Sequence, residues 1–317
     1  MINFKFTDSE GKNINVYKWE PKSGNVIGVI QIAHGMTETA LRYDYFAKKL
    51  NEHGYIVYAN DHRGHGKTAE NKKDLGYIAD DDGFKWMVKD LKELNDIIKS
   101  ENPGVPIALF GHSMGSFLSQ RYAEIYGYSI SALILSGTNG KPKQITKIGK
   151  LLAKSEMNKY GRRHVSKMMD KLSFGDFNNK FKPNRTGYDW LCSVDEEVDK
   201  YINDDLCGFI CTSSFYYDLI EGLWTIHKEE NLNLIPKDLP IYIFAGDRDP
   251  VGYEGKGIYN LVNSYKSIGI NKVSYKLYKD GRHEMLNENN KDEVISNILL
   301  WLMEIEMNKK EYIEIEI

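Results

Sequence analysis

Residues 111–115 read Gly-His-Ser-Met-Gly. An apolar run, Ile107-Ala108-Leu109-Phe110, precedes them, and a helix-like run from Ser116 to Tyr122 follows. This pattern predicts a strand, a sharp turn with a serine at its tip, then a helix. Small glycines on both flanks let the backbone turn tightly, so the Ser113 hydroxyl stands clear of the sheet. The helix start beside it offers free N–H groups and a positive dipole end, which suit an oxyanion. The chemistry that fits is attack of a serine oxygen on an acyl carbonyl.

A serine hydroxyl is a weak nucleophile at neutral pH, so it requires a base, and the base an orienting acid. In a parallel sheet such groups follow the carboxyl ends of strands. After the apolar run 241–245 comes Gly246-Asp247-Arg248-Asp249-Pro250-Val251, and after 273–278 comes Lys279-Asp280-Gly281-Arg282-His283-Glu284. The chain order is therefore serine, aspartate, histidine. Of eight histidines, His283 alone has the expected place. Both Asp247 and Asp249 follow the strand. Asp249 is favoured because it lies further into the loop and Pro250 stiffens the backbone that aims it, whereas Asp247 reads as a turn-former.

Two N–H donors must face the oxyanion. Met114, directly after the serine, supplies one. The loop His34-Gly35-Met36-Thr37-Glu38 supplies the other, with Met36 as the donor and Gly35 allowing close approach. The run Asp61-His62-Arg63-Gly64-His65-Gly66 looks at first like a metal or phosphate motif. With no second ligand cluster evident, it reads as a polar loop bracing the floor of the site.

The elements that must hold these residues alternate. Val26–Ala33, Tyr55–Ala59, Ile107–Phe110 and Ile130–Leu135 read as buried strands, and Leu41–His53 as a helix. A second helix carries Phe84, Met87, Val88, Leu91, Leu94 and Ile98 at helical spacing and ends before Pro103. Such alternation predicts a parallel sheet covered on both faces. Ile2–Phe6 and Asn13–Trp19 read as an antiparallel hairpin at the sheet edge. After Gly137 the rhythm breaks, and residues 138–235 read as a helical insertion over the sheet. It resumes with strands near 239–245 and 273–278 and helices near 256–268 and 293–307. The alternating Ile and Glu of 312–317 fit an added edge strand or a frayed end.

Composition narrows the function classes. The chain has 317 residues and a net charge of −3, so nothing global points to nucleic acid. Three cysteines, Cys192, Cys207 and Cys211, are too few and too odd for a disulfide framework. Cys207 and Cys211 are spaced to share a helix face. The N-terminal residues do not form a signal peptide, and no run is long enough for a membrane span. The expectation is a cytoplasmic protein with no metal and no cofactor. Residues 141–163 carry eight lysines and arginines against one acid, Glu156. Ile145, Ile148, Leu151 and Leu152 recur there at helical spacing. One reading is a helix lying on an anionic membrane; the other packs its apolar side on the core.

The segments HGMTE, ANDHRGHGKT, FGHSMGS, AGDRDPVG and DGRHEML together resemble the α/β-hydrolase superfamily. More narrowly they resemble its monoacylglycerol lipase and lysophospholipase branch, grouped with the serine aminopeptidases. The resemblance runs from about residue 26 to 286. It implies an α/β-hydrolase fold: a mostly parallel eight-stranded sheet, helices on both faces, and a helical cap. The core would be 1–137 with 236–317, and the cap 138–235. It also implies Ser113 as nucleophile, Asp249 as acid, His283 as base, and Met36 and Met114 as oxyanion donors. Ser116 departs from the pattern, since many members carry glycine there. The implied activity is hydrolysis of a single-chain lipid ester, a monoacylglycerol or lysophospholipid, through an acyl-enzyme. Other readings are an aminopeptidase of the proline-iminopeptidase kind, a short-chain carboxylesterase and, least favoured, a non-catalytic binding module. The sequence leaves head group, chain length and oligomeric state open.

Overall fold

The computed structural model describes residues 1–22 and 24–315, the last ten of them by backbone alone. Its strands and helices follow the chain as β1 (Ile2–Thr7), β2 (Asn13–Trp19), β3 (Gly28–Ala33), α1 (Asp44–Glu52), β4 (Tyr55–Asn60), α2 (Gly83–Glu101), β5 (Ile107–His112), α3 (Met114–Tyr126) and β6 (Ala132–Ser136). Five helices follow before the next strand: α4 (Thr146–Tyr160), α5 (Lys167–Phe174), α6 (Asp195–Asn203), α7 (Ser213–Thr225) and α8 (Glu229–Leu232). The chain closes with β7 (Ile241–Gly246), α9 (Lys256–Ser267), β8 (Val273–Tyr278) and α10 (Lys291–Ile315).

The strands form one eight-stranded sheet in the order β1-β2-β4-β3-β5-β6-β7-β8. The first two are antiparallel, paired Ile2 to Lys18 through Thr7 to Asn13, and β2 is antiparallel to β4. All other neighbours are parallel. Side chains alternate across the pleat and fill two cores. Ile30, Ile32, Ala108, Phe110, Ile134 and Phe244 face α1 and α10, where Phe46, Leu50, Val294 and Ile298 meet them. Leu109, Leu133, Leu135, Ile241 and Ile243 face the other way, onto α2, α3 and α9. Burying each such side chain contributes about 1.5–3 kcal/mol relative to leaving it in water. The polar Gln31 is satisfied within this second core: its amide donates to the Leu91 carbonyl at 2.7 Å and accepts from Asn95 at 3.0 Å.

Strand order reverses at β3. The chain runs outward from β3 to β4, crosses back through α2 to β5 on the opposite flank, and continues outward to β8. At such a switch point the loops after adjacent strands diverge and leave a crevice at the carboxyl ends. The loops after β3 and β5, carrying Met36 and Ser113, border this crevice.

Local differences from the sequence pattern have physical causes. The segment read as one helix over Leu41–His53 begins with a 3-10 turn, Ala40–Tyr43, before α1. Ala40 N–H is held by the Asp61 carboxylate at 3.0 Å, which fixes the entry of the chain. Cys207 and Cys211 do not share a helix face, since residues 204–212 lie between α6 and α7. Residues 312–315 continue α10, and 316–317 lie outside the described residues.

At the crevice the backbone of α3 lies directly against the end of β3. A Cβ on Gly115 would run into the carbonyl oxygens of Ala33 and His34. Neither strand end can retreat, because both are bonded into the sheet. We expect Gly115→Ala to destabilise the protein by about 1–3 kcal/mol, the range for overpacking. Gly187→Ala should be near neutral, as no atom lies within 4 Å of the added methyl. Denaturant unfolding of the two variants checks this.

Candidate active site

Ser113 sits between β5 and α3 with φ 50° and ψ −119°. A non-glycine residue pays for that conformation, and it persists because the surroundings over-determine it. Its N–H donates to the Ser136 carbonyl at 2.9 Å. Its carbonyl accepts from the N–H groups of Ser116 and Phe117 and from the Ser116 hydroxyl at 2.6 Å. The Ser116 hydroxyl thus ties down the turn. Among the described residues Ser113 Oγ makes no hydrogen bond, which leaves the hydroxyl available; such contacts commonly tighten only with substrate bound.

Asp249 and His283 come together as the sequence predicts. His283 Nδ1 lies 3.0 Å from both Asp249 carboxylate oxygens. Asp249 is fully buried and His283 nearly so. The two loops are held by backbone bonds: Asp247 N–H to the Tyr278 carbonyl at 2.9 Å, and Arg248 N–H to Gly281 at 3.0 Å. Side chains are absent where they cross, since a Cβ on Gly246 would overlap the Gly281 carbonyl. Asp249 Oδ1 also accepts the Val251 N–H at 2.9 Å, which aims the carboxylate. Asp247 donates its backbone N–H to Tyr278, and among the described residues it makes no hydrogen bond to His283.

Electrostatics single out His283 among its neighbours. Burial alone would lower an imidazole, but the charge and hydrogen bond of Asp249 outweigh it, so His283 lies above its ordinary value. His112, whose ring centroid is 4.7 Å away, has no such partner; burial and the nearby His283 hold it well below the ordinary value. Its Nδ1 lies 3.1 Å from Ser136 Oγ. Trp190, from the segment between β6 and β7, also contacts the His283 ring, at 5.2 Å between ring centroids.

The donor loop after β3 rests on three histidines. The His34 and His62 rings lie 4.2 Å apart, and His65 completes the cluster. His34 Nδ1 is 2.7 Å from the Gly35 carbonyl, and its Nε2 accepts the His62 N–H at 2.9 Å. The ring is therefore neutral with the proton on Nδ1. Burial pushes His62 down to about 3 and His65 to about 4. Asp61 beside them accepts from Ala40 N–H and Lys67 N–H and from the Asn15 amide. The Asp61–Gly66 loop thus braces the site. Among the described residues the N–H groups of Met36 and Met114 have no hydrogen-bond partner.

Sequence reasoning missed several groups. His112 sat beside the serine in plain view, but no pattern marked its ring contact with His283. Trp190 and Tyr201 are distant in sequence. Arg42 and Glu284, 242 residues apart, form a bidentate ion pair at 2.6 and 2.7 Å, and only their acid and base types gave a hint.

An eight-stranded α/β sheet with these groups in the loops at the carboxyl ends of its parallel strands defines an α/β-hydrolase. Residues 24–290 match the model of the serine aminopeptidase S33 family, and the chain belongs to that family. A stretch of 119 residues is 34% identical to a monoacylglycerol lipase of Mycolicibacterium smegmatis, covering 38% of this chain and 40% of that one. Over 285 residues the chain is 25% identical to the monoglyceride lipase of Mus musculus, covering 89% of this chain and 83% of that one. A thermostable carboxyl esterase from Bacillus coagulans, solved with glycerol, superposes with a TM-score of 0.89 at 30% identity over 96% of this chain and 98% of that one. The protein is a hydrolase of the lipase and esterase type, similar to monoacylglycerol lipases.

The paired carboxylate predicts a measurable shift. In Asp249→Asn the His283 imidazole should titrate at lower pH than in the wild type, because the charge that raises it is gone while burial remains. The other groups facing it, Glu284, Glu38 and His112, are unchanged. Asp247→Asn should leave the titration in place. NMR of labelled histidine across pH 5–9 reads both; a His283 signal that does not move in Asp249→Asn contradicts the pairing.

Proposed function

We propose that the protein hydrolyses a carboxylic ester bearing one acyl chain, with a monoacylglycerol as the favoured substrate, through an acyl-enzyme on Ser113. The observation that carries this reading is the buried His283–Asp249 pair in the loops beside a strained serine turn whose Ser113 is half-buried. His283 Nε2 takes the Ser113 proton as Oγ attacks the carbonyl carbon. The oxygen that becomes negative accepts from the N–H groups of Met36 and Met114. As the tetrahedral intermediate collapses, His283 returns the proton to the leaving alcohol oxygen. Water, deprotonated by His283, then attacks the acyl-enzyme, and the acid departs with Ser113 restored. Asp249 holds the imidazole in the required tautomer and stabilises its charged form.

The surroundings supply apolar surface for such an ester. Half-buried Met36, Phe209, Tyr217 and Val251 pack against the same apolar core and offer surface for an acyl chain. Helices α4–α8 act as the cap. An aminopeptidase would need free cap carboxylates to hold a substrate amine. Asp195 and Asp199 are paired with Arg185, Glu197 with Lys200, Asp205 with Lys72, and Glu221 with Lys150, while Glu196 and Asp204 form no ion pair among the described residues. The similarity to monoacylglycerol lipases favours the ester reading.

The test is a fluorophosphonate probe with a substrate panel. Wild type should be labelled and should cleave monoacylglycerols in preference to prolyl amides. Ser113→Ala should lose labelling and at least about a thousandfold in hydrolysis while keeping its melting temperature. Undiminished labelling of Ser113→Ala moves the nucleophile elsewhere.

The cap also supports contact with a lipid surface. Ile145, Ile148 and Leu151 are 64%, 52% and 67% exposed, and only Ala153 of α4 is buried. The apolar residues thus face outward among lysines, as does Leu172 of α5. No described helix is long and apolar enough to cross a membrane. A surface of this kind lies in the interface and gains from anionic head groups. Vesicles containing phosphatidylglycerol should sediment with the protein at low salt, and phosphatidylcholine vesicles much less. Equal, negligible binding to both sets the idea aside.

A further inference from the structure

Arg42, Glu38 and Glu284 take no part in the steps above, yet they link the two loops that perform them. Arg42 Nη1 and Nη2 donate to Glu284 at 2.6 and 2.7 Å, and Nη1 also donates to Glu38 Oε2 at 2.8 Å. The other Glu38 oxygen accepts the Gly35 N–H at 2.5 Å and the Tyr43 hydroxyl at 2.9 Å. Gly35 precedes Met36, and Glu284 follows His283. The Arg42 guanidinium also lies 5.0 Å from the ring of Tyr201 in α6, whose hydroxyl is 2.8 Å from Thr37 Oγ1. Side-chain exposure is only 13% for Arg42, 4% for Glu38 and 8% for Glu284.

Building this on the Ser113–Asp249–His283 reading, we propose that Arg42 is a positioning residue. It grips the oxyanion loop through Glu38 and the histidine loop through Glu284, and so fixes the Met36 N–H relative to His283. Two buried carboxylates repel each other and need a shared cation. Arginine serves because its planar fork meets one carboxylate with two bonds and still reaches the second. A lysine ammonium supplies the charge from one point and cannot span both in that geometry. Burial raises Glu38 even with Arg42 beside it, whereas Arg42 overcomes the burial of Glu284 and holds it below its ordinary value. Glu284 takes two of the three Arg42 bonds and Glu38 one, so Glu284 is the more firmly held arm. A shift of about 1 Å in a reacting group can cost about a hundredfold in rate, so a link of this kind has leverage without touching substrate.

The test is Arg42→Lys, which retains the buried positive charge. Melting temperature should stay close to wild type and KM within about twofold, while kcat falls about 10- to 100-fold. Fluorophosphonate labelling of Ser113 should slow by a similar factor. Glu284→Gln keeps shape and loosens only the histidine arm. It should show a smaller kcat loss with KM unchanged, and it carries the test if Arg42→Lys does not fold. Wild-type kcat in the folded variant, or a loss no greater than the unfolded fraction explains, overturns the proposal. Wild-type labelling by the probe, absent in Ser113→Ala, separates the two readings. If that control fails, the nucleophile assignment falls; if it holds and the variant labels at the wild-type rate, only the positioning role falls.

Discussion

The structure turns on how closely backbones approach one another at the carboxyl ends of the central strands. Gly115 lies on the Ala33 and His34 carbonyls, and Gly246 lies on Gly281. Each contact leaves no room for a Cβ. The first sets the start of α3, and with it Ser113, against the loop that carries Met36. The second brings the loop of Asp249 against the loop of His283. Loops from four strands meet in one place because glycine at two of their crossings removes the side chains that would hold them apart. The strained backbone of Ser113 is affordable in this setting, since the turn is bonded to Ser136, Ser116 and Phe117.

Charge is distributed with the same economy. His34, His62, His65 and His112 are buried with no carboxylate hydrogen-bonded to the ring, and burial holds all four below the ordinary value, so they serve as shaped hydrogen-bonding blocks. His283 differs in one respect, the carboxylate of Asp249 at 3.0 Å. That partner, with smaller contributions from the charges of Glu284 and Glu38, reverses the direction in which burial moves the ring. The site therefore holds one imidazole suited to accepting a proton near neutral pH, surrounded by imidazoles that do not compete for it.

The inserted helices are joined to the core at the site itself. Glu284 N–H donates to the Leu191 carbonyl at 2.7 Å, and Trp190 lies on His283. Arg282 donates to the carbonyls of Asp189 and Cys192, and Glu288 accepts from Ser193 N–H at 3.1 Å. Phe215, Tyr216 and Ile220 of α7 belong to the same apolar core as Met87 and Leu118. Movement of the 189–193 segment would be felt directly by the histidine loop. The outward apolar face of α4 lies on these helices, so a surface that engages α4 touches an element continuous with the site.

Much of this was legible in the chain. Apolar alternation marked the strands and the covering helices, because side chains repeat every two residues on a strand and about every 3.6 on a helix. The order of Ser113, Asp249 and His283, each just past a strand, marked the candidate triad, since a parallel sheet presents its loops at one end. Pro250 and the depth of the loop pointed to Asp249 over Asp247, and Asp249 is the one that meets His283. What the sequence left open depends on contacts across long chain separations. Residue type alone did not reveal that Arg42 meets Glu284, that Trp190 covers His283, or that the apolar side of α4 faces outward. Local patterns are set by neighbours within a turn or a strand. Ion pairs, ring stacking and the facing of a cap helix are set by which surfaces the whole chain brings together, and only the tertiary structure decides that.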